Sequence, residues 1–342
     1  MKNVLFACCF LILVYACKSS KSIIKAKDAT SDFTLAFGSC NKTSLENELW
    51  DDILAAHPDV WIWGGDIIYA DTENMAQIRH MYEAQNRVDG YRRVKEKIPV
   101  IGTWDDHDYG LNDGGVEFVS KVGSQHAFLD FMNVPEASPR RTQEGVYAAH
   151  DYVLAQGSIK VIVLDTRYFR TALTPDTVTQ KRNRPNTYGE GTLLGDTQWI
   201  WLENQLTSSK ANFNVIVSSI QVLSAEHGFE TWGNFPHETD RLLHLIASSK
   251  AQGVVVLSGD RHISEFSKKR IPNLGYPLVD FTSSGLTHTY TSYSGEPNPY
   301  RIGNVVTEKS FGLVKFNFKT NQVRFKMIGN HGEVLGSYQE NY

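Results

Sequence analysis

Six short runs of almost continuously apolar residues constrain the fold of this chain more than any other sequence feature. They comprise residues 34–37, 60–63, 100–103, 160–164, 214–218 and 254–257. Runs of this length are typical of strands that are buried on both faces of a sheet. Between several runs, periodic patterns predict helices over residues 45–56, 74–97 and 197–208, the last with Asp196 as its N-cap. This alternation predicts an α/β body.

The C-terminal part of the chain follows a different pattern. Residues 311–318 and 323–327 resemble two strands on either side of a short polar turn, so we expect a β-hairpin there. Residues 333–338 are expected to add a further strand. Because no repeat and no Pro/Gly/Ser-rich linker interrupts the chain, we predict one domain over residues 33–342.

Each apolar run is followed at once by polar side chains that a buried sheet would not normally hold. In chain order these are Cys40 and Asn41; Asp66 and Tyr69; Asp105, Asp106, His107 and Asp108; Asp165 and Arg167; Gln221; and Asp260, Arg261 and His262. In open α/β sheets, ligands bind beyond the carboxyl ends of the strands. We therefore expect these side chains to converge on one site.

The mixture of residue types in this predicted site favours bound metal ions. Grouped carboxylates repel one another, and a cation offsets that repulsion. Carboxylate and amide oxygens suit Ca²⁺, Mg²⁺ or Mn²⁺, whereas thiolate, imidazole and phenolate favour iron or zinc. We infer at least two metals of different character, an arrangement that is typical of phosphoester hydrolysis.

Composition and missing motifs exclude other classes of protein. Lys plus Arg is 34 and Asp plus Glu is 38, giving a net charge of −4 that argues against a nucleic acid as a specific partner. The chain has no Gly-x-Ser-x-Gly motif and no nucleotide-binding glycine loop. The adjacent Asp105 and Asp106 would suit a glycosidase, but that alternative leaves Cys40 and Tyr69 without a role.

The N-terminal residues predict export and lipidation. An apolar run at residues 4–16 follows Lys2 and is too short to span a bilayer, so residues 1–16 are predicted to be a lipoprotein signal peptide. Cys17 is the expected lipidation site, and residues 17–32 the tether; an ordinary secretory signal is the alternative. We therefore expect a lipid-anchored protein of the bacterial cell envelope, periplasmic or outer-membrane associated. Cys40 would be the remaining free thiol of the folded body.

Four motifs resemble one known family. They are Phe-Gly-Ser-Cys at 37–40, Gly-Asp-Ile-Ile-Tyr at 65–69, Thr-Trp-Asp-Asp-His-Asp at 103–108 and Ser-Gly-Asp-Arg-His at 258–262. In order and spacing they resemble the PhoD-like alkaline phosphatases and phosphodiesterases, relatives of the purple acid phosphatases among the calcineurin-like metallophosphoesterases. The resemblance covers about residues 33–338. It implies a four-layer αββα sandwich of two mixed β-sheets flanked by helices. It also implies metal-dependent hydrolysis of phosphate esters by a metal-bridging hydroxide, as a phosphomonoesterase, a phosphodiesterase or both.

The resemblance also implies the metals and their ligands. The expected cofactors are Fe(III) and one or two Ca²⁺ ions, with other divalent metals as alternatives. The implied ligands are Cys40, Tyr69 and His262 for iron, Asp66 as the bridge between metals, and Asp106, Asp260 and Gln221 for calcium. Asp108, Asn112 and Asp113 are candidates for a second calcium site.

Catalytic roles follow as expectations. Asp66 would hold the hydroxide, and His107 would protonate the leaving oxygen because its reference pKa is near neutral. Arg167 and Arg261 would orient the phosphate oxygens, although a structural ion pair is the alternative for Arg167. The expected substrate is a small-molecule or lipid phosphate ester, and the expected oligomeric state is a monomer. A calcium-binding surface lipoprotein without catalytic activity is the alternative function.

Overall fold

The computed structural model describes residues 31–179 and 181–342. The predicted signal peptide, the lipidation site Cys17 and most of the tether lie outside the described residues. Ser31 and Asp32, the last two residues of the predicted tether, already belong to the folded body. The backbone N–H of Asp32 donates to the carbonyl of Phe316 at 2.8 Å, and its carboxylate accepts from the N–H of Phe318 at 2.8 Å. Asp32 is therefore bound to two residues of the C-terminal part of the chain, and the domain boundary at residue 33 stays a prediction.

The strands and helices alternate as the apolar runs predict. The strands are β1 Phe33–Gly38, β2 Val60–Gly64, β3 Val100–Thr103, β4 Ala148–Val153, β5 Ser158–Val163, β6 Thr174–Pro175, β7 Asn183–Arg184, β8 Phe213–Val217, β9 Val254–Ser258, β10 Ser264–Lys269, β11 Leu278–Ser283, β12 Arg301–Val306, β13 Phe311–Asn317, β14 Gln322–Ile328 and β15 Val334–Asn341. The helices are α1 Trp50–Ala55, α2 Met75–Arg87, α3 Asp89–Lys97, α4 Asp106–Tyr109, α5 Lys121–Phe131, α6 Gly195–Thr207 and α7 Pro236–Ser248.

Most strands form two mixed sheets. The first sheet has the order β15-β14-β13-β1-β2-β3, and the second has the order β12-β10-β11-β9-β8-β5-β4. Strands β1, β2 and β3 run parallel to one another in the first sheet. In the second sheet, β5, β8, β9 and β11 are also mutually parallel. The expected C-terminal hairpin is confirmed as β13 and β14, and β15 adds the further strand.

The two sheets pack face to face over an apolar core. Across the interface, the ring of Phe37 meets that of Phe281 at a centroid distance of 4.9 Å, and Phe213 meets Phe316 at 5.2 Å. Burying one such side chain is worth about 1.5–3 kcal/mol. Helices α1, α2, α3 and α5 cover the outer face of the first sheet, and α6 and α7 cover that of the second. The expected four-layer αββα sandwich is confirmed.

The single helix predicted over residues 74–97 is instead two helices, because the helical conformation is interrupted at Val88. Its φ and ψ of −60° and 119° are extended, and α3 starts at the next residue. Gly90 allows α3 to pack closely on Trp50, since a Cβ there would lie 2.5 Å from the indole. Tertiary packing against Trp50 thus overrides a continuous helical pattern.

Two other predicted helices start at different residues. The helix predicted over residues 45–56 begins only at Trp50, because the side chain of Asn47 accepts the N–H of Leu49 in a turn before it. Helix α6 begins at Gly195, so Asp196 lies in its first turn instead of capping it. Among the described residues, no helix is both long and apolar enough to cross a membrane.

The parallel strands of both sheets end at the same edge of the sandwich. Backbone hydrogen bonds join the loops there: Asn41 donates to the carbonyl of Asp66 at 2.8 Å, and Gly259 donates to that of Ser219 at 3.0 Å. Gly65 has a φ of +101°, and a Cβ on it would lie 2.5 Å from the Cβ of Asp105. Glycine therefore allows the β2 and β3 loops to approach closely, and the polar residues collect at this edge.

Candidate metal centre

Four of the predicted ligands share an unusual backbone conformation. Their φ angles are positive: 59° at Cys40, 50° at Asp66, 68° at Asp260 and 54° at His262. Non-glycine residues rarely adopt this region, and such strain concentrates at functional sites. Because each of these residues follows a buried strand, the sheets fix the strained loops and direct their side chains to one place.

Cys40, Asp66 and Tyr69 meet around one carboxylate oxygen. The Sγ of Cys40 lies 3.3 Å from Oδ2 of Asp66, and the hydroxyl of Tyr69 lies 3.3 Å from the same oxygen. Ser284 joins His262 to this group, because its Oγ accepts the backbone N–H of His262 at 2.8 Å and lies 3.0 Å from the Sγ of Cys40. The three residues predicted as iron ligands and the predicted bridging residue Asp66 are therefore neighbours.

Asp66 also belongs to a second group of donors. One ligand atom from each of Asp66, Asp106 and His107 lies within 4.8 Å of the others, and the same holds for Asp105, Asp106 and Asp260. The carboxylate of Asp66 thus stands between the thiol and phenol on one side and the remaining carboxylates on the other. This is the position expected of a bridging ligand.

The donor atoms fit a bound cation. Oδ1 of Asp66, Nδ1 of His262 and Oδ2 of Asp105 are buried and have no hydrogen-bond partner. Burial and neighbouring negative groups raise the pKa of Asp66 and of Asp260 well above the ordinary range. Burial also raises the pKa of the Cys40 thiol to about 11. Positive charge would reverse these shifts, so the residues present suit a thiolate-containing metal site.

His107 is held by a carboxylate that the sequence analysis did not single out. Its Nδ1 lies 2.8 Å from Oδ2 and 2.9 Å from Oδ1 of Asp71. Burial opposes a charge on the imidazole, but the Asp71 hydrogen bond and the nearby Asp106 raise the pKa of His107 to about 9. This is the arrangement of a proton donor whose Nε2 faces away from the carboxylate.

Arg167 lies beneath the site, not at its surface. Its side chain is fully buried and forms ion pairs with Asp105 and Glu230, and Glu230 pairs in turn with Arg170 at 2.8 Å. These contacts leave no exposed guanidinium face for a phosphate. The expectation that Arg167 binds substrate is therefore corrected to its alternative, a structural ion pair that holds Asp105 beside Asp106.

Asp108 also has a structural role in place of the expected one. Its Oδ1 accepts the backbone N–H groups of Ile67 and Ile68 at 2.8 and 2.9 Å, and its Oδ2 accepts that of Asp105 at 3.0 Å. The residue is completely buried. A calcium ion would have to displace these bonds, so the carboxylate is better explained as a clamp between the β2 and β3 loops than as a calcium ligand.

The other candidates for the second calcium site lie at a cavity of about 420 Å³ above the donor atoms. Asn112 and Asp113 line it, and the carboxylate of Asp113 pairs with Arg182 at 2.7 Å. Arg261 lines the same cavity, and its Nη2 donates to both carboxylate oxygens of Glu296, at 2.7 and 2.9 Å. A calcium site at Asn112 and Asp113 and a phosphate contact at Arg261 stay predictions.

Gln221 makes its contacts away from the other predicted calcium ligands. Its Nε2 donates to Glu265 at 2.7 Å and to Thr282 at 2.8 Å. Its Oε1 is buried and has no hydrogen-bond partner, so this oxygen is available to bind a cation. Gln221 as a ligand stays a prediction.

His288 and Asp71 are the site residues that the sequence analysis missed. His288 lines the cavity, and its ring lies 4.5 Å from that of His262. A signal for it existed: it follows β11, whose carboxyl end meets the same edge because β11 is parallel to β9. The predicted strands did not include β11. For Asp71, the only sequence signal was its position two residues after Tyr69.

Comparisons with known proteins agree with this geometry. A family model described as PhoD-like phosphatase matches residues 35–334. Alkaline phosphatase D of Bacillus subtilis (strain 168) is 28% identical over 223 residues, which cover 56% of this chain and 37% of that protein. The match thus covers little more than a third of the curated relative.

Two solved structures have the same fold. A structure of PhoD aligns with a TM-score of 0.72 at 19% identity, over 91% of this chain and 69% of its own. A dimetal phosphatase from Danio rerio aligns with a TM-score of 0.55 at 13% identity, over 91% of this chain and 99% of its own. With the family model covering most of its length, the chain belongs to the PhoD-like phosphatase family.

Proposed function

We propose that this protein is a metal-dependent phosphoric ester hydrolase of the alkaline phosphatase or phosphodiesterase type. The observation that carries the proposal is the position of Asp66. Its Oδ2 lies 3.3 Å from the Sγ of Cys40 and 3.3 Å from the hydroxyl of Tyr69, and it also has a ligand atom within 4.8 Å of one from Asp106. One carboxylate shared by two sets of donors is what a two-metal phosphoesterase requires. Family membership supports the same reaction class.

The donor set favours two metals of different character. Cys40, Tyr69 and His262, with Asp66, would hold Fe(III), since thiolate and phenolate are the ligands that favour it. Asp106 and Asp260, again with Asp66, would hold Ca²⁺, which prefers carboxylate oxygens. When bound, these ions would supply the positive charge that activates water and polarises the phosphoryl oxygens.

The protein's own residues would then handle the leaving group. His107 presents Nε2 to the cavity while Asp71 holds Nδ1, so the imidazolium can give a proton to the departing oxygen. Arg261 is fixed by Glu296 and stacks over Phe229 with its Cζ 4.2 Å from the ring centroid. A guanidinium fixed in this way would orient a phosphate oxygen at the cavity wall.

The cavity suits a small organic phosphate ester as substrate. Its volume of about 420 Å³ and the half-buried ring of Phe229 accommodate an organic group beside the phosphate.

The proposal is tested by hydrolysis of mono-aryl and bis-aryl phosphates together with elemental analysis. We expect the metal-loaded protein to hydrolyse at least one of them, and Asp66→Asn to lose both turnover and bound metal. Asp151→Asn, a substitution of an exposed carboxylate on β4, should change neither. A protein that binds calcium but hydrolyses neither ester would support the non-catalytic alternative, and full activity of Asp66→Asn would refute the proposed site.

A test of the proposed envelope location uses Cys17. Labelled fatty acid should be incorporated into the wild-type chain and not into Cys17→Ser. Equal labelling of both chains, or no labelling of either, would contradict a lipid anchor at Cys17.

A further inference from the structure

His288 occupies a position in the site that no motif assigns. It lies five residues beyond the end of β11 and lines the cavity. Its ring centroid is 4.5 Å from that of His262 and 5.2 Å from that of Tyr69. It therefore stands beside two of the proposed iron ligands, facing the space in which the reaction would take place.

Hydrogen bonds at Thr287 fix the tautomer of His288. The Oγ1 of Thr287 accepts the backbone N–H of Lys42 at 2.8 Å, donates to the carbonyl of Cys40 at 3.2 Å, and lies 3.0 Å from Nδ1 of His288. A hydroxyl has one hydrogen to donate and two lone pairs to accept. All three bonds form together only when Nδ1 of His288 carries the hydrogen. The Nε2 atom is then a bare acceptor.

His288 and His107 contact the same ring with opposite hydrogen-bonding roles. The His107 ring is 4.1 Å from that of Tyr69, and its Nδ1 is bound to the carboxylate of Asp71. That pairing leaves Nε2 of His107 able to donate, whereas Nε2 of His288 can only accept. The two imidazoles that contact the Tyr69 ring at the cavity thus differ: His107 can donate a hydrogen bond, and His288 can accept one.

We propose that Nε2 of His288 accepts a hydrogen bond from the attacking hydroxide and sets its orientation toward the phosphorus. Nearby carboxylates cannot take this role as readily, because Asp66, Asp106 and Asp260 are the proposed metal ligands. The hydroxide donates its one hydrogen to Nε2 and keeps its lone pairs for the attack. The new P–O bond forms as the bond to the leaving oxygen breaks, and that oxygen takes its proton from His107, so no proton is transferred to His288. The inference rests on the proposed function and adds a catalytic residue to it.

The tautomer can be measured without metal or substrate. ¹⁵N NMR of histidine-labelled protein, assigned with His288→Gln, should show a protonated Nδ1 and a bare Nε2 for His288. Thr287→Ser keeps the hydroxyl and should preserve this pattern, whereas Thr287→Val should lose it. A protonated Nε2 in the wild-type protein would overturn the inference, whatever the activity of the enzyme.

Kinetics then test the role. Removing a positioning contact to a reacting atom costs up to about 100-fold, so we expect His288→Ala to lower kcat about 10- to 100-fold with KM and metal content unchanged. His288→Gln, which retains an acceptor oxygen, should recover part of the loss. His244→Gln, at an exposed position on α7, is the control and should match the wild type.

Three outcomes of the measurements on His288→Ala would overturn the inference. They are loss of bound metal in His288→Ala, which would make His288 a ligand; a raised KM with unchanged kcat, which would make it a substrate contact; and no change at all. A wild-type protein that hydrolyses no phosphate ester would instead refute the proposed function, and the role of His288 with it.

Discussion

Nδ1 of His107 lies 2.8 Å from Oδ2 of Asp71, and this contact determines the charge of the imidazole at the cavity. Burial alone would lower the pKa of His107; the hydrogen bond that its Nδ1 donates to Asp71 and the charge of Asp106 outweigh burial and raise the pKa to about 9. A raised pKa means that the pair stabilises the folded state fully below the unfolded pKa. That stabilisation is lost as the pH rises through about 9.

The first prediction concerns Asp71→Asn. If His107 must be protonated to donate to the leaving oxygen, activity should fall on the alkaline side near the pKa of His107. The substitution removes the charged partner, so the alkaline limb of the kcat/KM profile should move toward neutral pH. Glu73→Gln, an exposed position nearby in the chain, should leave the profile in place. An unshifted limb in Asp71→Asn would show that another group controls it.

The second prediction concerns the Cys40 thiol in metal-free protein. Because burial raises its pKa to about 11, little thiolate is present at neutral pH, and an alkylating reagent should label Cys40 slowly. Mass spectrometry of the Cys40 peptide, with and without denaturant, measures the rate. Rapid labelling of the folded chain would show that the thiol is accessible or already ionised.

The third prediction concerns the buried ion pairs of Arg167. Arg167→Met leaves Asp105 and Glu230 buried without their partner, and such losses cost about 3–5 kcal/mol. Denaturant unfolding should show this decrease in the free energy of unfolding. Arg92→Ala removes only exposed pairs with Asp89 and Glu96, which solvent screens, so the free energy of unfolding should change little. A similar loss in both variants would contradict the structural role assigned to Arg167.

The fourth prediction separates the two roles considered for Asp108. Both carboxylate oxygens of Asp108 accept backbone N–H groups. Asp108→Asn replaces one of these oxygens with an NH₂ group, which cannot accept a hydrogen bond. The unfolding free energy should fall by about 1–3 kcal/mol, and calcium bound per folded chain should stay the same. Loss of one calcium without loss of stability would restore Asp108 as a metal ligand.

The sequence predicted the parts of the fold that depend on burial. Strands such as β2 and β9 are apolar except at their last residue, and they are followed by residues such as Asp66 and His262 that an apolar core would not normally hold. The sequence did not predict β11. Its segment Leu278–Ser283 contains Asp280, whose carboxylate accepts hydrogen bonds from Val222 and Leu223 that only the tertiary structure brings near. Without β11, His288 had no strand end to place it.

The roles of the charged residues required the structure for a different reason. Arg167 and Asp108 follow strand ends just as Asp66 and Asp106 do. Their positions in the chain therefore do not distinguish a structural role from a role in metal binding or catalysis. Only their partners do, namely Glu230 for Arg167 and the backbone N–H groups of the β2 loop for Asp108. Those partners are distant in the chain or are backbone atoms that carry no residue signature.

The central claim is that Asp66 joins two metal sites, and anomalous X-ray scattering from metal-loaded crystals tests it most directly. The account predicts an iron peak among Cys40, Asp66, Tyr69 and His262, and a second metal peak between Asp66, Asp106 and Asp260. A metal-loaded protein with a single peak that does not contact Asp66, or with its metals bound elsewhere, would contradict it.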